Sequence, residues 1–206
     1  RSIWVTGVQT CALPIFTRSP NVFYVTNHYP QADRMGAIHA MSAVLCRDPA
    51  RPIAVVAQAF TFYYSHSDES AFGNRALFTY TEPEDPAAAA PVTSETPATA
   101  PRQLHVYDEA QVSPREKRRR ASLAAARANS ASAPAALARA LHELKLTNAR
   151  LGLDDLGVEP ALRAQGIRAQ IVGGEDTMRR IRFAKSPAEV RLMLYGIGRA
   201  SCRERV

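Results

Sequence analysis

Apolar positions in this chain fall into short runs separated by Pro, Asn, Asp and Gly, and the period of those runs changes along the sequence. Asn21-Val22-Phe23-Tyr24-Val25-Thr26, opened by Ser19-Pro20 and closed by Asn27, is rich in β-branched and aromatic residues and predicts a strand. A second apolar run covers Ala40 to Cys46 and ends at Arg47-Asp48-Pro49. Ile53 to Val56 predicts a third strand, buried on both faces because it does not alternate, and Ala76 to Tyr80 a fourth. Runs so poor in polar positions fit a sheet covered by helices better than an open sandwich.

Beyond Tyr80 the material changes. Ala, Pro, Thr, Ser and Glu dominate 82–102 without periodic apolar positions, which predicts a disordered linker or insertion. Arg115 to Ala128 holds strong helix formers with little apolar face beyond Leu123, the pattern of a solvated helix. From Pro134, Leu137, Ala140, Leu141 and Leu144 recur at i, i+3, i+4 and i+7, one stripe facing a core. Alternation then returns: a strand at Arg150–Leu153, a helix at Glu159–Gln165 closed by Gly166, a strand at Ile167–Val172 and a helix at Asp176–Phe183. Ser186-Pro187-Ala188-Glu189 is a capping box opening a last helix, with Val190, Met193 and Leu194 starting its buried stripe. Strands alternating with helices predict an α/β domain: a mixed β-sheet with helices on both faces.

The two ends read differently. Val5 to Ile15 and Ile197 to Val206 match in-frame translations of common sequencing-library adapters, so 1–15 and 197–206 are expected to be adapter-derived and not part of the native fold. What remains is a fragment, Phe16 to Gly196, incomplete at its N-terminus. A signal peptide fits the start poorly: Thr6, Gln9 and Thr10 interrupt the apolar run and no small-x-small site follows Ile15. No run approaches the ~20 apolar residues of a membrane span, so no membrane partner is expected.

Composition narrows the class. The chain carries 26 Lys+Arg against 19 Asp+Glu, a formal +7. Setting aside Arg1, Arg199, Arg203, Arg205 and Glu204 leaves a surplus of only four, too mild over this length to require nucleic acid or lipid. Cys11 and Cys202 lie in the set-aside ends, and Cys46 alone excludes a disulfide framework or a cysteine zinc site and suits a reducing, cytoplasmic setting.

Two phrases carry a resemblance. Ser19-Pro20-Asn21-Val22-Phe23-Tyr24-Val25-Thr26-Asn27 resembles the "s-p-N-i-x-Y-L-T-G" of the creatinase, prolidase and aminopeptidase P family. Met178 to Met193 (Met-Arg-Arg-Ile-Arg-Phe-Ala-Lys-Ser-Pro-Ala-Glu-Val-Arg-Leu-Met) resembles its "l-R-x-i-K-S-p-x-E-i-x-l-M", the helix leading into the catalytic domain. Leu151-Gly152-Leu153-Asp154 sits where that family has "i-G-v-D". Asn27 stands where Gly is usual, and Asn tolerates a left-handed backbone better than most residues.

The resemblance implies that 16–185 is a creatinase-like N-terminal domain and 186–196 the start of a linker helix to a catalytic domain not contained in this chain. It implies no catalytic residue, metal ligand or cofactor in the fragment. The parent would be a metal-dependent Xaa-Pro peptidase-like hydrolase, a homodimer, using a dinuclear divalent metal (Mn, Co or Zn) held by two Asp, one His and two Glu to activate water. The family's first helix and strand would be missing, leaving an unpaired sheet edge.

Candidate sites are few. His28, Tyr29 and Arg34 follow the first predicted run; the resemblance implies substrate-access candidates there, and the other reading is a polar surface loop. Ser113 to Ser122, with Arg115, Lys117, Arg118, Arg119 and Arg120, offers an alternative function: a stand-alone interaction module binding nucleic acid or a protein partner. No aromatic residue interleaves with it, so a solvated helix face is the stronger reading and a nucleic-acid partner the weaker. Ile171-Val172-Gly173-Gly174 matches the mature N-terminus of trypsin-like proteases but reads as a strand and turn, without dinucleotide-binding spacing. His39, His66, His105 and His142 show no metal-ligand spacing. Asp154-Asp155 at a strand end reads as a turn or cap in preference to an acid–base pair.

Overall fold

In the computed structural model, which describes residues 12–28, 36, 41–65, 74–81 and 112–203, the β-rich runs assemble into one sheet. Its strands are β1 (Leu13–Phe16), β2 (Met41–Val44), β3 (Ile53–Gln58), β4 (Arg75–Tyr80), β5 (Ala128–Ser130), β6 (Arg150–Leu153) and β7 (Gln170–Gly173). The order is β5-β4-β3-β2-β1-β6-β7. β2 is antiparallel to both neighbours, with Ile15 opposite Val44 and Ser42 opposite Val56, and every other pairing is parallel. The helices are α1 (Ser19–Thr26), α2 (Ala59–Ser65), α3 (Pro114–Ala124), α4 (Ala133–Glu143), α5 (Glu159–Ala164), α6 (Glu175–Phe183) and α7 (Pro187–Arg203).

Strand periodicity splits the core in two. Ile15, Val44, Ala54, Val56, Ala76, Phe78, Leu151 and Leu153 face one side and pack with Leu137, Leu141 and Leu144 of the α4 stripe and with Leu162 of α5. Phe16, Ala43, Val55, Ala57 and Leu77 face the other and pack with Val22 and Val25 of α1, Phe62 of α2, Leu123 of α3 and Met178 of α6. Successive residues of β3 enter opposite cores, which is why the run shows no polar alternation. The architecture is α/β, a mixed sheet with helices on both faces.

Several expectations are corrected. Asn21–Thr26 is helical, not a strand. Pro20 sits in the first turn, Asn21, Val22, Val25 and Thr26 are the buried positions, and Asn27 closes the helix left-handed at φ 53 with its N–H on the Phe23 carbonyl. The strand comes earlier, at 13–16, and it includes residues set aside as adapter. Ile15 is fully buried, and β1 lies between β2 and β6, so no unpaired edge opens at that point. Pro14 adds no donor to the ladder, but its carbonyl accepts from Leu45 N–H.

The helix expected over Arg115–Ala128 ends at Ala124, and Ala128–Ser130 becomes β5 beside β4. The strand expected from Ile167 starts at Gln170, because Ile167 and Ala169 are buried in the preceding turn. Finally, α7 is capped as expected: Glu189 N–H donates to Ser186 Oγ and Ser186 N–H to Glu189 Oε2. Its stripe, however, is not buried; Val190, Met193 and Leu194 are 42%, 53% and 63% exposed. The segment 82–102 lies outside the described residues.

Candidate functional site

Helix placement defines where a site can form. α1, which follows β1, packs on one face of the sheet, while α5, which follows the adjacent parallel β6, packs on the other. Neighbouring parallel strands whose connections leave to opposite faces open a crevice at their carboxyl ends, the usual ligand position in α/β sheets. Here that crevice holds Thr17, Arg18, Asn21, Asp154, Asp155 and Glu175.

Asp154 organises it. The side chain is 2% exposed and its two oxygens accept four hydrogen bonds. Oδ1 takes the Thr17 N–H at 2.8 Å and the Thr17 hydroxyl at 2.9 Å. Oδ2 takes the Arg18 N–H at 3.0 Å and the Asn21 amide at 2.8 Å. Arg18 is the N-cap of α1 and supplies no side-chain cap of its own. A carboxylate from β6 therefore stands at the positive end of α1, and one side chain ties strand, turn and helix across 137 residues of sequence.

Asp155 does separate work. Its Oδ1 caps the following 3₁₀ turn by accepting from Gly157 N–H at 2.9 Å, and Arg18 Nε lies 3.6 Å from its Oδ2. Arg18 also reaches toward Glu175 at 3.9 Å, and the Asn21 amide donates to Glu175 Oε2 at 3.2 Å. The two neighbouring aspartates thus hold different partners, as a tether and a cap, and do not face each other as an acid–base pair. Asn21 is fully buried, and its Oδ1 has no hydrogen-bond partner among the described residues.

Beside this cluster lies a small cleft of ≈ 90 Å3 on the face of the sheet covered by α6. Ala12, Pro14 and Phe16 of the β1 segment, Gly152 and Asp154 of β6, Val172 to Gly174 after β7, and Thr177 and Met178 of α6 line it. Gly152 faces Ala12 across the cleft floor, where a Cβ would make ordinary contact at 3.5 Å. Gly174 N–H donates to the Leu153 carbonyl at 2.6 Å, and a Cβ there would stand 3.2 Å from that same oxygen, tight against backbone.

Of His28, Tyr29, Arg34, the other histidines and Cys46, those described lie outside this cleft. His28 is 4% exposed and stacks on Phe62, ring centroids 5.3 Å apart, so it is a buried packing residue and not a surface loop. Tyr29 and Arg34 lie outside the described residues, as do His39, His66 and His105. His142 sits in the last turn of α4; burial, with Arg139 repelling a second positive charge, pushes its pKa below the ordinary 6.5. Cys46 is a free thiol whose pKa burial raises, opposite to what a reactive thiolate needs.

The basic run forms α3 with Ser113 as its N-cap. Glu116 within it accepts from Tyr63 Oη at 2.8 Å and pairs with Arg120 at 3.3 Å, fastening α3 to α2. Ile171 to Gly174 is a strand and turn, as read. Among the described residues no three His, Cys, Asp or Glu side chains come together to hold a metal. None of the described helices is long and apolar enough to cross a membrane.

Sequence reasoning missed Asp154 as the organising residue. The available signal was a carboxylate directly after the apolar Leu151–Leu153 run, next to a second one that explained the turn by itself. No family model, curated protein or solved structure matches the chain.

Proposed function

We propose that this chain is a non-catalytic α/β domain that works by docking, the N-terminal domain of a Xaa-Pro peptidase-like hydrolase, with roles in dimer contacts and substrate access. The observation that carries the reading is α7. Leu192, Met193, Leu194 and Tyr195 are 53–64% exposed on a helix that leaves the sheet after Phe183, itself 87% exposed. Large apolar side chains left exposed together on one helix mark a surface available for interaction. The phrase that resembles the family's linker helix runs from Met178 to Met193 and so includes Phe183, Leu192 and Met193, which supports placing a partner domain against them. In the parent, a dinuclear divalent metal (Mn, Co or Zn) in that partner domain would supply the water-activating chemistry. This chain's own share is positional: Asp154 fixes α1 to the sheet, and α6 carries α7 outward. A cytoplasmic setting belongs to the same proposal, resting on Cys46 as a free thiol.

The test is direct. The purified chain, incubated with Mn, Co or Zn salts and Xaa-Pro peptides, is expected to release no N-terminal residue. Metal-dependent release that a chelator abolishes would overturn the reading. Within α3, Glu116 and Arg120 are engaged with Tyr63 and each other, as a helix packed on α2 and solvated on its other side would be.

A further inference from the structure

We infer that Ser122 of α3 is a phosphoryl-acceptor site for a serine kinase that selects basic sequence, and that its phosphorylation releases α3 from α2. Two observations meet at this residue: the charge pattern that would recognise it, and a helix with little holding it shut. Arg118, Arg119 and Arg120 stand four, three and two positions before Ser122, Leu123 follows it, and no carboxylate lies between Glu116 and Glu143. Of all the serines and threonines in the chain, Ser122 alone has a cation at both the third and the second preceding position. A kinase whose peptide groove carries carboxylates reads guanidinium groups there through charge-assisted, bidentate hydrogen bonds, and Leu123 fits an apolar pocket beside them.

The helix can open to present that sequence. Of its eleven residues only Leu123 is buried, and a hydrogen bond from Tyr63 Oη to Glu116 Oε1 at 2.8 Å fastens its first turn to α2. A surface helix anchored by one apolar side chain belongs to the low-stability end of local unfolding. Opening extends Arg118 to Leu123 along the kinase groove and brings out Ser122, which is half-buried in the closed helix. Its Oγ then attacks the γ-phosphorus of ATP and the bond from that phosphorus to the β,γ-bridging oxygen breaks. ADP leaves with the electron pair, and the hydroxyl proton passes to the catalytic carboxylate of the kinase.

The phosphate favours the open form. In the closed helix Ser122 lies in the last turn, where a dianion meets the negative end of the helix dipole. Arg118 and Arg119, one turn earlier on the same face, attract it by a comparable amount. Half-burial beside Leu123 decides the balance, because a doubly charged group there must shed water that it keeps in the open segment.

Mass spectrometry of the full chain, after incubation with ATP, Mg and a kinase catalytic subunit selecting Arg at those two positions, tests the site. One phosphate per chain at Ser122 is expected, and none at that position in Ser122→Ala. Arg119→Ala with Arg120→Ala should slow incorporation about tenfold or more. Tyr63→Phe leaves every residue that the kinase reads in place and should speed incorporation about twofold or more, by loosening the closed helix. In the phosphorylated chain the α3 amides should exchange hydrogen about tenfold faster than before, while those of α4 are unchanged. An unmodified Ser122, or incorporation indifferent to the two arginine changes, overturns the site. A rate that Tyr63→Phe leaves unchanged, or a phosphorylated chain whose α3 exchanges no faster, overturns the release.

Discussion

Replacing Asp154 with Asn changes one atom in a buried carboxylate and should cost the fold about 3 kcal/mol. The carboxylate satisfies four donors: two backbone N–H groups, a hydroxyl and an amide. An Asn side chain has one oxygen, so either the Thr17 pair or the Arg18 and Asn21 pair must face an NH₂ group. The Thr17 hydroxyl can turn and accept, but the backbone N–H beside it cannot. A buried donor left unmatched costs about 1–3 kcal/mol, and the charge-assisted strength of the surviving bonds is lost as well. Asp154→Ala removes all four acceptor positions and should cost about 4–5 kcal/mol, a large part of the ~5–15 kcal/mol holding such a domain together. Asp155→Ala is the control, losing one turn cap and an exposed ion pair for about 1 kcal/mol. Urea denaturation followed by circular dichroism measures all three. If Asp154→Asn lies within about 0.5 kcal/mol of the parent, or Asp155→Ala costs more than Asp154→Ala, the assignment of Asp154 as the tether is wrong.

Further outcomes follow from the same structure. Arg163→Ala removes bonds to the Ile167 and Ala169 carbonyls and the pair with Glu159, and should lower stability by about 1.5–2 kcal/mol in urea. Asn27→Gly should stabilise by a few tenths of a kcal/mol and Asn27→Ala destabilise by about 1, since the residue sits at φ 53; thermal melts decide the sign. His142 has a folded pKa below its ordinary 6.5, so the unfolded chain binds more protons between those two values. Stability should therefore fall as pH drops through that window, and His142→Gln should flatten the slope in pH-dependent melts. Leu141→Ala, at a fully buried α4 position, should cost about 2–5 kcal/mol in the same urea assay.

The fold was legible where one period dominated. The α4 stripe, the β3 and β4 runs, the β6 strand and the Ser186 cap all came from spacing or capping chemistry that acts within a few residues. What failed depended on partners far along the chain. Asn21–Thr26 has strand-like composition, yet Pro20 and Asn27 bracket a helix, and the sheet position is taken by Leu13–Phe16, whose neighbours β2 and β6 come later in the sequence. β5 is three residues long and shows no period. The candidate site was less visible still. Asp154 acts through Thr17, Arg18 and Asn21, so its role exists only once β1 and β6 lie side by side. The α7 stripe showed the reverse error, because its spacing marks an apolar face without saying what covers it.

Hydrogen exchange of the α7 amides, measured in dilute and in concentrated protein, tests the docking account most directly. Residues 190–195 should exchange far faster than the α4 core in dilute solution and become protected as concentration rises, since their apolar side chains are covered only on association. Protection already complete in the dilute monomer, or rapid exchange unchanged at every concentration, would contradict it.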